Sequence, residues 1–289
     1  MGEAMHARHL SIALCLTLAG CAGAPGDDTA TTSSSEDELV TCGWFMGGGC
    51  AQLPSGDWRT PEFWGELYLR KYAAELDYAN THIEAGPAPL QTPRTVLLIT
   101  GVTIKKEWMM PIQKRLERDG FKTVLYEPPA LLSGDLAKAA AALDPIVEKI
   151  RKDSGEARID ILAECTGGVI ARHYIQSLGG DKKIAHMVTF VSPEHGLPVA
   201  PIAYRIVHWP ALRDLTPNSP FMHAVNDAPL PASVKFTSIY SCTDEYIQPY
   251  STSAIPGGTN IGLCKGFTGH FQTMYDPDIY LLMHDALLK

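Results

Sequence analysis

From residue 95 onward, short apolar runs alternate with stretches of helical spacing. Residues 95–100, TVLLIT, are apolar and stop at Gly101, the pattern of a strand buried on both faces. Residues 109–119 put Ile112 and Leu116 on one helical face and end at Gly120. KTVLYE at 122–127 predicts a second strand, closed by Pro128 and Pro129. An Ala-rich helix follows at 134–152, with a kink expected at Pro145 and an end before Gly155. Further strands are predicted at 158–163, 186–191 and 234–240, with helices at 166–178 and 277–288. Strands alternating with helices predict an α/β fold on a mostly parallel sheet. There is no internal repeat and no sign of a second domain. Residues 192–233 hold eight prolines beside Tyr204, Ile206, Trp209, Leu212, Phe221 and Met222, so a small cap is expected between the fourth and fifth strands. Its apolar residues suit a ligand pocket or ordinary packing equally.

The first 57 residues read differently. Arg8 precedes a short apolar core, LSIALCLTLAG, and then Cys21. A basic flank and a short apolar core predict a signal peptide over residues 1–20 rather than a membrane span. Leu18, Ala19, Gly20 and Cys21 resemble the bacterial lipobox, which implies lipidation of Cys21 after cleavage. Ala22, where Asp would retain a lipoprotein at the inner membrane, implies an exported chain anchored to the outer membrane. Residues 21–57 predict a tether, rich in Gly, Asp, Ser and Thr, with a Cys42/Cys50 segment before the α/β domain at 58–289.

Composition narrows the function. A net charge of -8 argues against nucleic acid as a partner. Seven cysteines are present. Cys15 leaves with the signal peptide and Cys21 takes lipid, so five remain. In an oxidising compartment, neighbours in sequence suggest the bridges Cys42–Cys50 and Cys242–Cys264. Cys165 is then the unpaired thiol: a reactive residue, or an inert buried one.

The surroundings of Cys165 favour chemistry. ILAECTGGVIA (161–171) ends a strand, presents one polar residue and enters a helix. A strand-to-helix turn that exposes a nucleophile needs small neighbours, here Ala163 and Gly167. The helix N-terminus predicts a lowered thiol pKa, with Glu164 opposing it if close. A Cys nucleophile needs a base and an acid that orients it. His270, in a late loop before the last helix, is the expected base. Asp244 directly after the fifth strand is the expected acid, and Glu245 is the alternative. A Cys242–Cys264 bridge ties the acid loop to the base loop. Backbone N–H groups of Val102 and Thr166 are the expected oxyanion donors.

In order along the chain, ITGV, the elbow with GGVIARHYI, SPEHG, LRDLTPNSPFMHAVN, TDEYIQP and the Gly269-His270 loop resemble secreted bacterial lipases of the lipase class 2 type. The resemblance covers about residues 90–289. It implies an α/β-hydrolase fold, hydrolysis of carboxylic esters or lipids, and no cofactor or metal. It puts the nucleophile on Cys165, the acid on Asp244 and the base on His270. The chain departs from that pattern at Thr100, Ala163, Glu164 and Cys165, which stand where the family has His, Gly, His and Ser. Polyhydroxyalkanoate synthases and dienelactone hydrolases also use Cys at this point, but the rest of the chain resembles neither. Two other readings stay open: a Cys-dependent acyltransferase or thioesterase, and a non-catalytic surface lipoprotein that keeps the fold. The sequence leaves the oligomeric state open.

Overall fold

The computed structural model describes residues 40–42 and 50–289, which lie in one compact unit running from Glu38 to Lys289. The expected signal peptide, the lipidated Cys21 and most of the tether lie outside the described residues. A small antiparallel pair opens the unit, β1 (Val40–Cys42) and β2 (Cys50–Gln52), with Cys42 directly opposite Cys50. The expected Cys42–Cys50 bridge falls on side chains outside the described ones. Helices α1 (Pro61–Lys71) and α2 (Ala73–Thr81) follow. Neither is among the elements predicted from the sequence.

The main sheet has six strands, all parallel: β3 (Thr95–Ile99), β4 (Lys122–Tyr126), β5 (Ile159–Glu164), β6 (Ile184–Phe190), β7 (Lys235–Ser241) and β8 (Thr259–Leu263). Their order across the sheet is β4-β3-β5-β6-β7-β8. Five of the six match the predicted strands. β8 was missed because TNIGL has little apolar character, and as an edge strand it buries little. The predicted strand at 158–163 runs one residue further, so Glu164 belongs to the buried end of β5.

Period-two alternation divides the core between the two faces of the sheet. Leu97, Ile99, Ile159, Ile161 and Ala163 point to one face. There they meet α4 (Leu136–Ala141), α5 (Leu143–Ser154) and α6 (Thr166–Ser177). Val96, Leu98 and Leu162 point to the other face. That side is covered by α1, α3 (Met110–Arg118) and α11 (Pro277–Leu288), around a fully buried Trp108. The long helix expected at 134–152 is two helices, broken at Ala142 rather than bent at Pro145. A proline ring collides with the carbonyl four residues earlier, and that residue is Ala141, the last of α4.

The segment between β6 and β7 forms three short helices, α7 (Ala200–Val207), α8 (Pro210–Asp214) and α9 (Pro220–Asn226). Each has a proline in its first two positions, where the missing N–H costs nothing. Phe221 and Met222 are buried in the core, whereas Val199, Ile202 and Ile206 are exposed. A four-residue helix, α10 (Gln272–Tyr275), leads into α11.

Candidate active site

After β3 the chain crosses to β4 on one side, then returns to place β5 on the other. The strand order reverses between β3 and β5, and a crevice at their carboxyl ends is the expected site of chemistry in such a sheet. Gly101 follows β3 and Cys165 follows β5. They are so close that a Cβ added at Gly101 would lie 2.7 Å from the Cys165 Cβ and 2.6 Å from Glu164 Oε2. Only glycine fits there.

One residue, Cys165, joins β5 to α6, with φ 46° and ψ -129°. A side chain rarely adopts this conformation, which costs on the order of 1–3 kcal/mol and clusters at functional sites. The turn is held by Cys165 N–H donating to Phe190 O at 3.0 Å and by Gly168 N–H donating to Cys165 O at 2.9 Å. Gly167 lets α6 start tight against β3, since a Cβ there would meet Thr100 O at 2.8 Å. Thr166 is the first residue of α6, where backbone N–H groups have no partner within the helix.

His270 comes from the loop between β8 and α10 and Asp244 from the loop after β7, so three strand ends supply the cluster. Asp244 Oδ2 accepts from His270 Nδ1 at 2.8 Å. Its other oxygen accepts from the Tyr246 and Ile247 N–H groups, each at 2.8 Å. Glu245, the alternative acid, acts elsewhere: it accepts the His270 backbone N–H at 2.9 Å and so fixes the loop. Thr273 Oγ1 donates to His270 O at 2.7 Å. Cys242 and Cys264 are bridged, with Cα atoms 4.9 Å apart, which ties the Asp244 loop to the strand leading to His270.

The other ring nitrogen of His270 meets Glu164, a residue expected from the sequence only to oppose a lowered thiol pKa if close. Glu164 Oε1 lies 3.1 Å from His270 Nε2, and Glu164 Oε2 accepts the Gly101 N–H at 2.7 Å. Glu164 therefore occupies both the nitrogen that faces the thiol and a backbone donor beside it. The expected donor Val102 sits half-buried in the same turn. The sequence did carry a signal for this: a carboxylate at the last position of a buried strand must find partners or stay neutral. The ligating atoms of Glu164, Cys165 and His270 all lie within 4.8 Å of one another, a grouping able to hold a metal ion.

Burial is nearly complete: Glu164 is 0% exposed, Asp244 1%, His270 3% and Cys165 7%. It dominates the electrostatics. Burial pushes the Glu164 carboxyl up, opposed by its hydrogen bond to His270. Burial also pulls His270 down, but the Asp244 charge and the ring's hydrogen bonds with Asp244, Cys165 and Glu164 hold it well above its usual value. The Cys165 thiol is raised, by burial first and by the Glu164 charge second. This corrects the sequence expectation of a lowered thiol. The helix N-terminus and His270 do not overcome burial of the thiol together with the carboxylate on the adjacent residue.

No protein-family model matches the chain. Solved structures do resemble it. Aspergillus fumigatus lipase B superposes with a TM-score of 0.57 at 18% identity, over 72% of this chain and 55% of that one. The chain thus spans about half the length of that lipase. The mature Bacillus licheniformis lipase BlEst2 gives 0.56 at 14% identity, over 71% of this chain and 96% of that one. The metagenomic carboxyl esterase MGS0156 gives 0.55 at 16%, over 71% and 78%.

The fold is that of an α/β-hydrolase. In that fold the nucleophile is carried by the turn from a central strand into a helix, and Cys165 stands at the corresponding turn here. The chain order Cys165, Asp244, His270 also follows the order of nucleophile, acid and base in that fold.

Proposed function

We propose that this chain is a carboxylic ester hydrolase acting through Cys165, His270 and Asp244. The observation that carries the reading is the buried Asp244–His270 pair, presented beside a cysteine in an elbow backbone. The solved structures similar to this one are described as lipases and an esterase, which supports esters as the substrate class. The sulfur adds to the ester carbonyl carbon, and the C=O electron pair moves onto oxygen. The thiol proton passes to His270 Nε2 and then to the leaving alkoxide, giving an acyl thioester. Water cleaves the thioester by the same route. Asp244 holds the imidazole with Nε2 toward the sulfur and stabilises the imidazolium. Backbone N–H groups of Val102 and Thr166 receive the oxyanion, and Glu164 must leave Nε2 and the Gly101 N–H before this can happen.

The test is to mix the full chain with p-nitrophenyl butyrate and follow nitrophenol release and intact mass. A butyryl adduct on Cys165 with continued turnover, both absent in Cys165→Ala, is the expected result. An adduct that never clears would point instead to an acyltransferase awaiting an acceptor. A third reading, binding without turnover, has one observation in its favour: Glu164 already occupies the His270 nitrogen that the attacking group needs. No activity in wild type, Cys165→Ser or Cys165→Ala would favour it, whereas activity only in Cys165→Ser would mean a lipase scaffold whose nucleophile has been disabled. The same proposal includes export and lipid attachment at Cys21. Cys21→Ala should move the chain from the membrane fraction to the soluble fraction.

A further inference from the structure

We propose that Glu164, Cys165 and His270 form a reversible Zn²⁺ site, and that an occupied site takes the Cys165 sulfur out of nucleophilic chemistry. The inference uses residues of the ester-cleavage reading but does not depend on that reading being right.

The donor set is one oxygen, one sulfur and one imidazole nitrogen, a mixture that suits Zn²⁺ and not Mg²⁺ or Ca²⁺. Ligands of a tetrahedral Zn²⁺, at about 2.0–2.3 Å from it, stand about 3.3–3.7 Å apart. Glu164 Oε1 and His270 Nε2 are 3.1 Å apart, and all three ligating atoms fit within 4.8 Å. The elements already hold them near the required separation.

Each ligand has an outer partner that orients it. Asp244 accepts from His270 Nδ1, which turns Nε2 toward the other two ligands. This is the carboxylate–histidine arrangement that commonly supports zinc. Gly101 N–H holds the second oxygen of Glu164, leaving the first to coordinate. Thr166 Oγ1 stands 3.7 Å from the Cys165 sulfur. Cys165, the most exposed of the four side chains, is the point of entry.

The charge balance also favours a dication. With the thiol ionised, three negative groups surround one imidazole in a water-excluded site. Binding releases the thiol proton and any proton on Nε2 to solvent and forms Zn–S, Zn–N and Zn–O bonds. Three protein ligands leave a fourth position for water. The site is therefore open, so a chelator should be able to remove the ion.

The test uses the chelator-stripped full chain. Zn²⁺ uptake is measured by calorimetry, and Co²⁺ is added separately as a spectroscopic probe. The expected result is a thiolate-to-cobalt charge-transfer band, and one equivalent of Zn²⁺ that is missing from Cys165→Ala. Asp244→Asn should weaken binding about 10–100-fold, as loss of an outer partner does. Zn²⁺ should also protect Cys165 from iodoacetamide, read by mass, and EDTA should restore alkylation. Equal Zn²⁺ affinity and stoichiometry in wild type and Cys165→Ala would overturn the site, as would a Co²⁺ spectrum without the band. Undiminished alkylation at saturating Zn²⁺ would overturn the quenching. Cys165→Ser, nearly isosteric and checked for a native melt, guards against loss of binding through misfolding. Nitrophenol release in EDTA tests the hydrolase reading separately.

Discussion

His270 sits between two buried carboxylates, and the two sides of its ring differ in kind. On the Nδ1 side, Asp244 is saturated: two backbone N–H groups hold one oxygen and His270 takes the other. It can only orient the ring and balance its charge. On the Nε2 side, Glu164 has a single backbone donor, from Gly101, and faces the thiol. It can accept a proton, compete with the sulfur or bind a cation. Two carboxylates on one imidazole thus take different roles because of what else each is bonded to. Identity and distance alone do not distinguish them.

The largest effect should come from removing the nucleophile or the fixed side of that pair. Cys165→Ala should abolish the acyl adduct and turnover. Asp244→Asn should lower ester turnover about 10³–10⁴-fold with little change in fold, measured by steady-state kinetics beside circular dichroism. If Asp244→Asn retains full turnover, the orienting side is not Asp244.

Opening the Cys242–Cys264 bridge with a double Ser variant should cost about 3 kcal/mol in the chain-entropy model for a 22-residue separation. A urea titration reads this as a lower midpoint, with the slope steepened as the unfolded chain loses its cross-link. Gly101→Ala should cost about 1–3 kcal/mol, because its Cβ has no room between Glu164 and Cys165. It should also disturb thiol alkylation. A wild-type melt and wild-type alkylation would mean that the crevice yields more easily than its geometry suggests.

The Nε2 side is sharpened by pH. Glu164 raises the thiol, so Glu164→Gln should shift the alkylation profile of Cys165 to lower pH in the presence of EDTA. An unmoved profile would mean that burial alone sets the thiol. For His270 the folded value lies above the unfolded one. The stability it contributes is fully present below its unfolded value near about 6.5, and is lost as pH rises through the folded value. The slope is at most about 1.4 kcal/mol per pH unit for one proton. Urea unfolding at a series of pH values should show this loss, and His270→Asn should remove it.

Much of the fold was legible. Five of six main strands follow from apolar runs bounded by Gly and Pro, because a strand buried on both faces must be apolar throughout. Helices α1 and α2, which precede the first predicted strand, were missed, as were the short helices α7 to α10, and β8 is too polar to announce itself. At the site, Asp244 and His270 were found from chain order and loop position, and the structure brings them within 2.8 Å. Glu164 was expected only to oppose ionisation of the thiol if close, and its contacts with His270 Nε2 and Gly101 N–H were not foreseen. Whether a strand-end carboxylate turns toward solvent or into the crevice depends on the loop from β8, which lies 106 residues downstream of Glu164 in the contact it makes.

The sequence by itself determined the alternation of strands and helices, the elbow at Cys165 and the odd count of thiols. These are local: each depends on periodicity, on small residues beside a turn, or on counting. Only the tertiary structure decided that Glu164 closes over His270 Nε2 and Gly101 N–H, and that burial and this carboxylate raise the Cys165 thiol. Those outcomes depend on desolvation and on charges brought together from three strand ends. Neither has any value until the chain has folded around them.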